Sequence, residues 1–207
     1  DKEKARASFR AYRFDDPAGL LQYRLLPFRE YVPPGLPPVG LTPLHRLRTM
    51  SSEMGCHIFI KDEGDNPSGC FKDRETLLCL LNSRRRGLSQ AVIYSSGNAA
   101  ASAALFAQQL QLQLITFVAG DTYPEKIDFI RNRGADVIVI GDEHTNFEEG
   151  FRLFAQLNAD GVFAGNGYDN WTVRNPYRVQ GDKTTALEIV RQLSIGAVYH
   201  TPDYVVV

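Results

Sequence analysis

The stretch NPSGCFKDRE, residues 66–75, joins a turn to the start of a helix. Its first four residues are types that favour turns, and the segment 71–87 that follows has a helical pattern. Lys72 stands at the junction between the two. It can be one more solvated amine on a surface helix, or a nucleophile held at the mouth of a sheet. The surrounding elements decide between these interpretations.

Short apolar runs alternate with longer helical segments along the chain. The runs predicted as strands are rich in β-branched residues and comprise residues 57–63, 91–96, 113–119, 136–141, 162–166 and 202–207. The segments predicted as helices comprise residues 71–87, 97–110, 124–134, 146–158 and 181–193. This alternation favours parallel strands with helical crossovers, and the uniformly apolar strands indicate a sheet covered on both faces. The sequence therefore predicts an open α/β fold after an irregular, proline-rich arm over residues 1–40.

The composition argues against several kinds of partner. A formal net charge of −1 over 207 residues gives no reason to expect nucleic acid or a membrane, and no apolar run approaches the ~20 residues of a spanning helix. The three cysteines form no CxxC pair and the four histidines are scattered, so we expect no metal site and a reduced, cytoplasmic protein. The chain lacks an initial Met and ends in the apolar run 205–207, so we expect it to be truncated.

Three junctions carry polar or reactive residues where loops meet helices, the position at which open α/β sheets bind ligands. They are residues 66–74, the SSGN sequence at 95–98, and NPYRVQGDKT at 175–184. In the second, Ser96 can cap the helix and Gly97 lets a ligand approach the backbone, while free amides and the helix dipole attract an anion. A well-capped helix without a ligand explains the same residues, so this motif alone leaves both interpretations open.

Together, in this order and spacing, the motifs resemble those of the fold-type II pyridoxal-phosphate-dependent enzymes, and among them threonine synthase. The resemblance is carried by NPSGCFKDRE (66–75), SSGNAAASAALFA (95–107) and NPYRVQGDKTTALEI (175–189), with QYRLLP (22–27) and LTPLHRL (41–47) upstream. It implies two open parallel-sheet α/β domains of the tryptophan synthase β-like kind, which close over the cofactor pyridoxal 5'-phosphate.

The resemblance also implies roles for individual residues. The family lysine that holds the cofactor as a Schiff base corresponds to Lys72, and the asparagine that contacts the cofactor's ring hydroxyl corresponds to Asn98. The loop from Ser95 through Ser96 to Gly97 would hold the substrate carboxylate. Lys126 and Arg178 match positions that bind the phosphate of a phosphorylated substrate. A surface lysine in a salt bridge explains Lys126 almost equally well.

A threonine synthase-like lyase of amino-acid biosynthesis is the activity that the resemblance implies. Such an enzyme converts O-phospho-L-homoserine to threonine with release of phosphate, and Lys72 would shuttle the protons. The alternatives are β-replacement of the cysteine synthase kind and serine or threonine dehydration. The expected ligand is a small phosphorylated or otherwise activated amino acid. A non-catalytic nucleotide-binding domain is disfavoured because no G-x-G-x-x-G follows the first predicted strand.

Four positions depart from the family pattern. Thr172 and Val173 stand where threonine synthases carry Asn-Ser, and a valine side chain cannot hydrogen-bond a substrate. Cys70 replaces a usual serine, and Glu75 replaces a common glycine. These departures leave the exact substrate open.

The resemblance predicts how the chain divides into domains. Residues 1–74 would form the arm and the first part of the large domain, residues 75–181 the small domain, and residues 182–207 the return into the large domain. The glycine-rich loop that binds the cofactor phosphate is expected beyond residue 207. A homodimer is also expected, because the family is commonly dimeric.

Overall fold

The computed structural model describes residues 26–160, 168–170, 175–194 and 200–207. Two short 3-10 helices, Arg29–Tyr31 and Glu63–Asp65, accompany the main elements. In chain order those elements are β1 (Leu44–Arg46), α1 (Arg48–Met54), β2 (Phe59–Lys61), α2 (Lys72–Arg85), β3 (Gln90–Tyr94), α3 (Asn98–Gln109), β4 (Gln113–Ala119), α4 (Pro124–Arg131), β5 (Asp136–Ile140), α5 (Phe147–Ala159), β6 (Tyr168–Asn170) and α6 (Pro176–Leu193).

A parallel sheet forms the centre of the described structure, with its strands in the order β5-β4-β3-β6. Val92 of β3 pairs with Ile115 of β4, and Phe117 of β4 pairs with Ile138 of β5. A helix lies in the chain between each strand and the next, as parallel pairing requires. The predicted α/β fold with a parallel sheet is confirmed.

Both faces of this sheet are covered, as the apolar strands predict. Successive side chains of a strand point to opposite faces. Ala91 and Ile93 of β3 accordingly belong to the large core cluster that α2, α3 and α4 contribute to. Val92 and Tyr94 belong to a second cluster that contains Phe154 of α5. The sheet therefore lies between α5 on one side and the other three helices on the opposite side.

Helix α2 is buried on more than one side. All eleven residues from Asp73 to Ser83 are buried, and consecutive positions of this number cover every side of a helix. The helix is held from several directions by apolar contacts. Residues in its first turn are consequently presented from a firmly packed element, and Lys72 is the first of them.

The strand predicted over residues 57–63 is present in shorter form, but the prediction that it joins the parallel sheet was wrong. The strand is confined to β2, which pairs antiparallel with β1 in a separate two-stranded sheet, with Leu44 opposite Lys61. A three-residue strand next to a proline-rich segment is too short to give a periodic signal, so β1 was not predicted. Phe59 and Ile60 are exposed, which is typical of a small ribbon outside the main sheet.

The C-terminal predictions had different outcomes. The strand predicted at 162–166 lies outside the described residues. The strand predicted at 202–207 was wrong, since these residues form no ladder with any described strand and Val206 is exposed. A β-branched sequence becomes a strand only where a second strand satisfies its backbone. Helix α6 begins five residues before the predicted 181, because Pro176 is its first residue and Asn175 caps it.

The described residues were also searched for membrane-spanning and metal-binding features. None of their helices is both long and apolar enough to cross a membrane. No group of three or more His, Cys, Asp or Glu side chains in this part of the chain is placed to bind a metal ion.

Candidate active site

Lys72 is the first residue of α2 and lies three positions after the end of the NPSG turn. The turn is closed by the Gly69 amide, which donates to the Asn66 carbonyl at 2.8 Å, and Gly69 adopts a φ of 82°, which favours glycine. The Lys72 side chain is 24% exposed, so its amine is accessible from one side. Its Nζ lies 4.3 Å from the centroid of the Phe71 ring and 3.2 Å from Oε1 of Glu75.

Asp73 anchors the start of α2 to the turn before it and to α3. Its carboxylate accepts from the Ser68 amide at 2.7 Å and from the Ser102 hydroxyl at 2.5 Å. The Ser102 hydroxyl also contacts Thr76, one turn further along α2. The beginnings of the two helices are therefore tied together by buried hydrogen bonds. The sequence predicted where α2 begins, but it did not predict these bonds.

The SSGN segment forms the entry to α3, but it does not cap the helix as predicted. Gly97 rather than Ser96 occupies the N-cap position, and no side chain among the described residues caps α3. Ser95 instead accepts from the Gly97 amide at 3.3 Å, while its own amide donates to Phe117 of β4. The helix thus starts one residue later than a Ser96 cap requires. Amides of its first turn are left without a side-chain cap, which suits an external anion.

The two helix starts come together at one end of the fold. Asn98 and Ser102 are four residues apart in α3 and so lie on the same face, one turn from each other. Ser102 hydrogen-bonds Asp73, the residue after Lys72. The structure therefore brings the SSGN entry to the same end as the Lys72 amine, and both Gly97 and Asn98 are exposed there.

Arg178 of α6 joins this end of α2 through Glu75. Its Nη2 lies 2.6 Å from both carboxylate oxygens of Glu75, and its Nε donates to Oε2 at 2.9 Å. The close approach of the helices depends on Gly181. A β-carbon there would overlap the Arg74 carbonyl oxygen and lie 3.0 Å from the Glu75 α-carbon. Glycine at 181 thus lets α6 pack against the backbone of α2.

Lys126 is not brought into this group of residues. It lies exposed in the first turn of α4, and its Nζ is 5.9 Å from the centroid of the Tyr123 ring. Among the described residues, no hydrogen bond or ion pair joins it to Lys72 or Arg178. The surface-lysine interpretation accounts for its position without a ligand.

Asp182 adds a second carboxylate next to Glu75. It follows Arg178 by one turn of α6. Partial loss of hydration and then the negative charge of Glu75 raise the pKa of Asp182 to about 6, against the opposing effect of Lys72 and Arg178, although the residue remains exposed. The end of α2 and the start of α6 thus form a cluster of two basic and two acidic side chains, which we call the α2–α6 charge cluster: Lys72, Glu75, Arg178 and Asp182.

Arg74 lies beneath this cluster in a buried network that the sequence did not reveal. Each nitrogen of its guanidinium donates, and its partners include Glu63 at 2.6 Å and Glu188 at 2.8 Å. Lys61 also pairs with Glu188 at 2.7 Å. Although burial opposes its charge, the two carboxylates raise the pKa of Arg74. The network joins α2, α6, β2 and a 3-10 helix, so it fixes the elements around the site.

A family model of pyridoxal-phosphate dependent enzymes matches residues 36–207. The chain belongs to this family. It is 32% identical over 170 residues to the threonine synthase of Bacillus sp. (strain ULM1), an alignment that covers 81% of this chain and 46% of that protein. It is 30% identical over 171 residues to the threonine synthase of Methanocaldococcus jannaschii, which covers 81% and 39% respectively. The chain spans less than half the length of these curated relatives.

Solved structures give the same family assignment. The processed form of threonine deaminase isoform 2 from Solanum lycopersicum matches with a TM-score of 0.62 and 27% identity, over 73% of this chain and 40% of that one. A fungal L-serine ammonia-lyase from Rhizomucor miehei matches with a TM-score of 0.60 and 26% identity, over 73% and 46% respectively. The chain therefore shares the fold-type II architecture with proteins of more than one activity.

The described residues fit the cofactor of this family of pyridoxal-phosphate dependent enzymes. Lys72 supplies an amine that is accessible on one side, and the uncapped start of α3 supplies backbone donors at the same end. Gly97 leaves open space there, because a β-carbon at this position would meet no atom within 4 Å. An amine, adjoining backbone donors and free volume are what a planar phosphorylated aldehyde needs from this half of its site.

Proposed function

We propose that this pyridoxal-phosphate dependent enzyme eliminates a leaving group from Cβ or Cγ of a small amino acid, with Lys72 as its catalytic residue. The observation that carries the proposal is the pairing of Lys72 with the uncapped start of α3. A buried lysine with no adjoining donors would be a structural residue. Here the amine is accessible, and Asp73 and Ser102 tie its helix to the SSGN entry.

Each residue of the site has a distinct part in this proposal. Lys72 holds the cofactor through its amine and later carries a proton to or from the substrate, since lysine can serve both as nucleophile and as base. Asn98 orients the cofactor through its side-chain amide. The Ser95–Gly97 loop binds the substrate carboxylate with the backbone amides at the start of α3. Pyridoxal phosphate, when bound, supplies an electron sink for negative charge at the substrate Cα.

The first candidate substrate is O-phospho-L-homoserine, converted to threonine with release of phosphate. The support for it is the similarity to two threonine synthases at 32% and 30% identity. The threonine synthase reaction also needs groups that bind the substrate phosphate. Of the residues proposed for this task, Lys126 is exposed on α4 and Arg178 already pairs with Glu75.

The second candidate is elimination from a hydroxy amino acid, as in a serine or threonine dehydratase. The specific observation in its favour is the Glu75–Arg178 pair, which leaves the guanidinium engaged by a carboxylate of the protein itself. A hydroxyl leaving group needs no such cation. The similarity to a threonine deaminase at 27% identity is in keeping with this candidate. Cysteine synthase-like β-replacement is the remaining alternative.

The role of Lys72 is tested by trapping the cofactor chemically. The protein is incubated with pyridoxal phosphate, reduced with borohydride and digested, and the modified peptide is identified by mass spectrometry. We expect the label on the peptide containing Lys72, its loss in Lys72→Ala, and its retention in Lys126→Ala, which removes an exposed lysine as a matched control. Labelling that persists unchanged in Lys72→Ala would refute the assignment.

The substrate is tested separately on the full protein loaded with cofactor. O-phospho-L-homoserine, O-phospho-L-serine, L-threonine and L-serine are compared by kcat/KM, with release of phosphate or of ammonia as the measured product. Turnover of O-phospho-L-homoserine alone favours the threonine synthase reaction. Turnover of the hydroxy amino acids alone favours the dehydratase.

The division of the chain into domains is part of the same proposal. A small domain over residues 75–181 would close against a large domain, to which residues 1–74 and 182–207 contribute. Closure between two domains would exclude water from the site when substrate is bound. Small-angle X-ray scattering of the full protein with and without substrate tests this division, because closure of the two domains should reduce the radius of gyration.

A further inference from the structure

Glu75 is the central residue of the α2–α6 charge cluster. It is one turn after Lys72 in α2, and its side chain is only 2% exposed. Its Oε1 lies 3.2 Å from the Lys72 Nζ and 2.6 Å from Nη2 of Arg178. Its Oε2 lies 2.6 Å from the same Nη2 and 2.9 Å from the Arg178 Nε. One carboxylate thus bridges the amine of the site and the neighbouring guanidinium.

Glu75 occupies one edge of the Arg178 guanidinium, the edge formed by Nε and Nη2. The Arg178 side chain is only 12% exposed, so an anion from outside has little access to the remaining nitrogen. A charge-assisted pair of this kind is stronger than a neutral hydrogen bond. An anion from outside could take the place of Glu75 only by leaving a buried carboxylate without its partner, which is strongly unfavourable.

The packing of α6 holds this pair in place. Gly181 lies against the backbone of Arg74 and Glu75, so the helix that carries Arg178 is fixed beside the helix that carries Glu75. The Arg178 side chain is therefore confined to the neighbourhood of the carboxylate. The ion pair is a consequence of how the two helices pack, and not of a chance meeting of long surface side chains.

The balance of charge in the cluster also disfavours an anionic substrate side chain. Glu75 and Asp182 are both acidic, and they face the two cations Lys72 and Arg178. The formal charges of the four side chains therefore sum to zero, so the cluster offers no net positive charge to a phosphate. A phosphate brought to this place would meet further negative charge, whereas an uncharged group would not.

We infer that Glu75 is a specificity-determining residue: it occupies the anion-binding side of Arg178 and excludes amino acids whose leaving group is a phosphate. The substrate class assigned to the site is then a small amino acid with an uncharged leaving group, of which a hydroxyl is the simplest. This inference rests on the proposed function for the reaction itself. Beyond that function, the inference specifies which substrates the site accepts.

The test measures the binding of inorganic phosphate to the protein loaded with pyridoxal phosphate, so that the cofactor's own phosphate fills its subsite. Calorimetric titration of wild type, Glu75→Gln and Glu75→Ala is compared at equal ionic strength. We expect phosphate affinity to rise about tenfold or more in both variants, since a charged hydrogen-bonding group is released. Glu149→Gln, which removes an exposed glutamate of α5, is the matched control and should not change it.

A double variant identifies the cation responsible. In Glu75→Gln combined with Arg178→Met, the gain in phosphate affinity should disappear. A gain that persists without Arg178 would overturn the inference, as would unchanged phosphate affinity in folded Glu75→Gln and Glu75→Ala. Circular dichroism identifies the variants that are folded.

The wild-type protein also provides a test that needs no variant. We expect its kcat/KM for a hydroxy amino acid to exceed that for the phosphorylated analogue, and we expect Glu75→Gln to lower this ratio. A wild type that prefers the phosphorylated substrate would overturn the inference while leaving the role of Lys72 intact. If borohydride reduction of the wild type failed to label Lys72, in contrast, the proposed function would be refuted without any change in the phosphate titration.

Discussion

Replacing Arg74 by methionine tests the buried network under the active site. Arg74 is fully buried, and so is its partner Glu188, whereas Glu63 is 20% exposed. Removing one member of a buried ion pair costs about 3–5 kcal/mol, because the other charge is left uncompensated. Glu188 keeps its contact with Lys61 at 2.7 Å, and Glu63 remains partly solvated. We therefore expect the lower end of this range, about 3 kcal/mol, for Arg74→Met.

The assay is urea unfolding of the full protein followed by far-ultraviolet circular dichroism. Arg131→Met is the matched control, since Arg131 is 53% exposed and lies 3.8 Å from Asp128. An exposed pair of this kind contributes little, so the control should change the free energy of unfolding by less than about 1 kcal/mol. A double-mutant cycle of Arg74→Met with Glu188→Gln should give a coupling energy of about 1–3 kcal/mol.

The same network makes the free energy of unfolding depend on pH in a definite direction. Although burial favours the neutral carboxyl, hydrogen bonds and the charge of Arg74 lower the pKa of Glu63 and of Glu188 below the ordinary 4.5. A carboxyl with a lowered pKa stabilises the fold fully above about pH 4.5, and this stability is lost as the pH falls through the folded value. Wild type should therefore lose more stability than Arg74→Met below pH 4.5.

If Arg74→Met lowered the free energy of unfolding by less than about 1 kcal/mol, or if the coupling energy with Glu188→Gln were near zero, the reasoning would be refuted.

Two further changes test the packing of α6 against α2. Gly181→Ala should lower stability by about 1–3 kcal/mol in urea unfolding, because the new methyl group would overlap the Arg74 carbonyl. Gly97→Ala, which meets no atom within 4 Å, should cost less than about 1 kcal/mol, because only the poorer N-cap preference of alanine opposes it. A neutral Gly181→Ala would contradict the close approach of the helices. Wild type should lose stability as the pH rises from about 4 to about 6, since a carboxyl whose pKa is raised from 3.8 to about 6 favours the fold only while it is protonated. Asp182→Asn should remove this loss. Because Asp182 is exposed and water screens its charge, we expect an effect of at most about 1 kcal/mol in thermal unfolding across this range, and an unchanged slope would count against it.

The sequence predicted those parts of the fold whose cause is local or periodic. β4 matches its predicted bounds, residues 113–119, because a central strand of seven residues, five of them apolar, gives a clear signal. The entry to α2 was also predicted, since NPSG and the helical pattern meet at Lys72. β1 and the pairing of β2 were missed because a three-residue ribbon has no period to detect.

The parts of the site that were missed depend on contacts distant in the chain. Arg74 finds Glu188 across 114 residues, and Arg178 finds Glu75 across 103. No spacing pattern in the sequence predicts either pair. Gly181 did carry a usable signal, because a glycine inside a helical pattern often marks a close approach to another element. The Ser96 cap was wrong for a different reason, since Ser96 and Gly97 both suit an N-cap and only the backbone decides between them.

The segment from Lys72 to Glu75 divides its charged residues between two tasks, and helical geometry explains the division. Lys72 and Glu75 are three residues apart and so share one face, which is the face that meets Arg178. Asp73 and Arg74 point elsewhere, toward α3 and into the buried network. Changes at Arg74 should therefore alter stability more than substrate preference, whereas changes at Glu75 should alter preference as well as stability, because its ion pair with Arg178 is also buried. Four consecutive charged residues that look alike in the sequence thus separate into a pair that shapes the site and a pair that holds it in place.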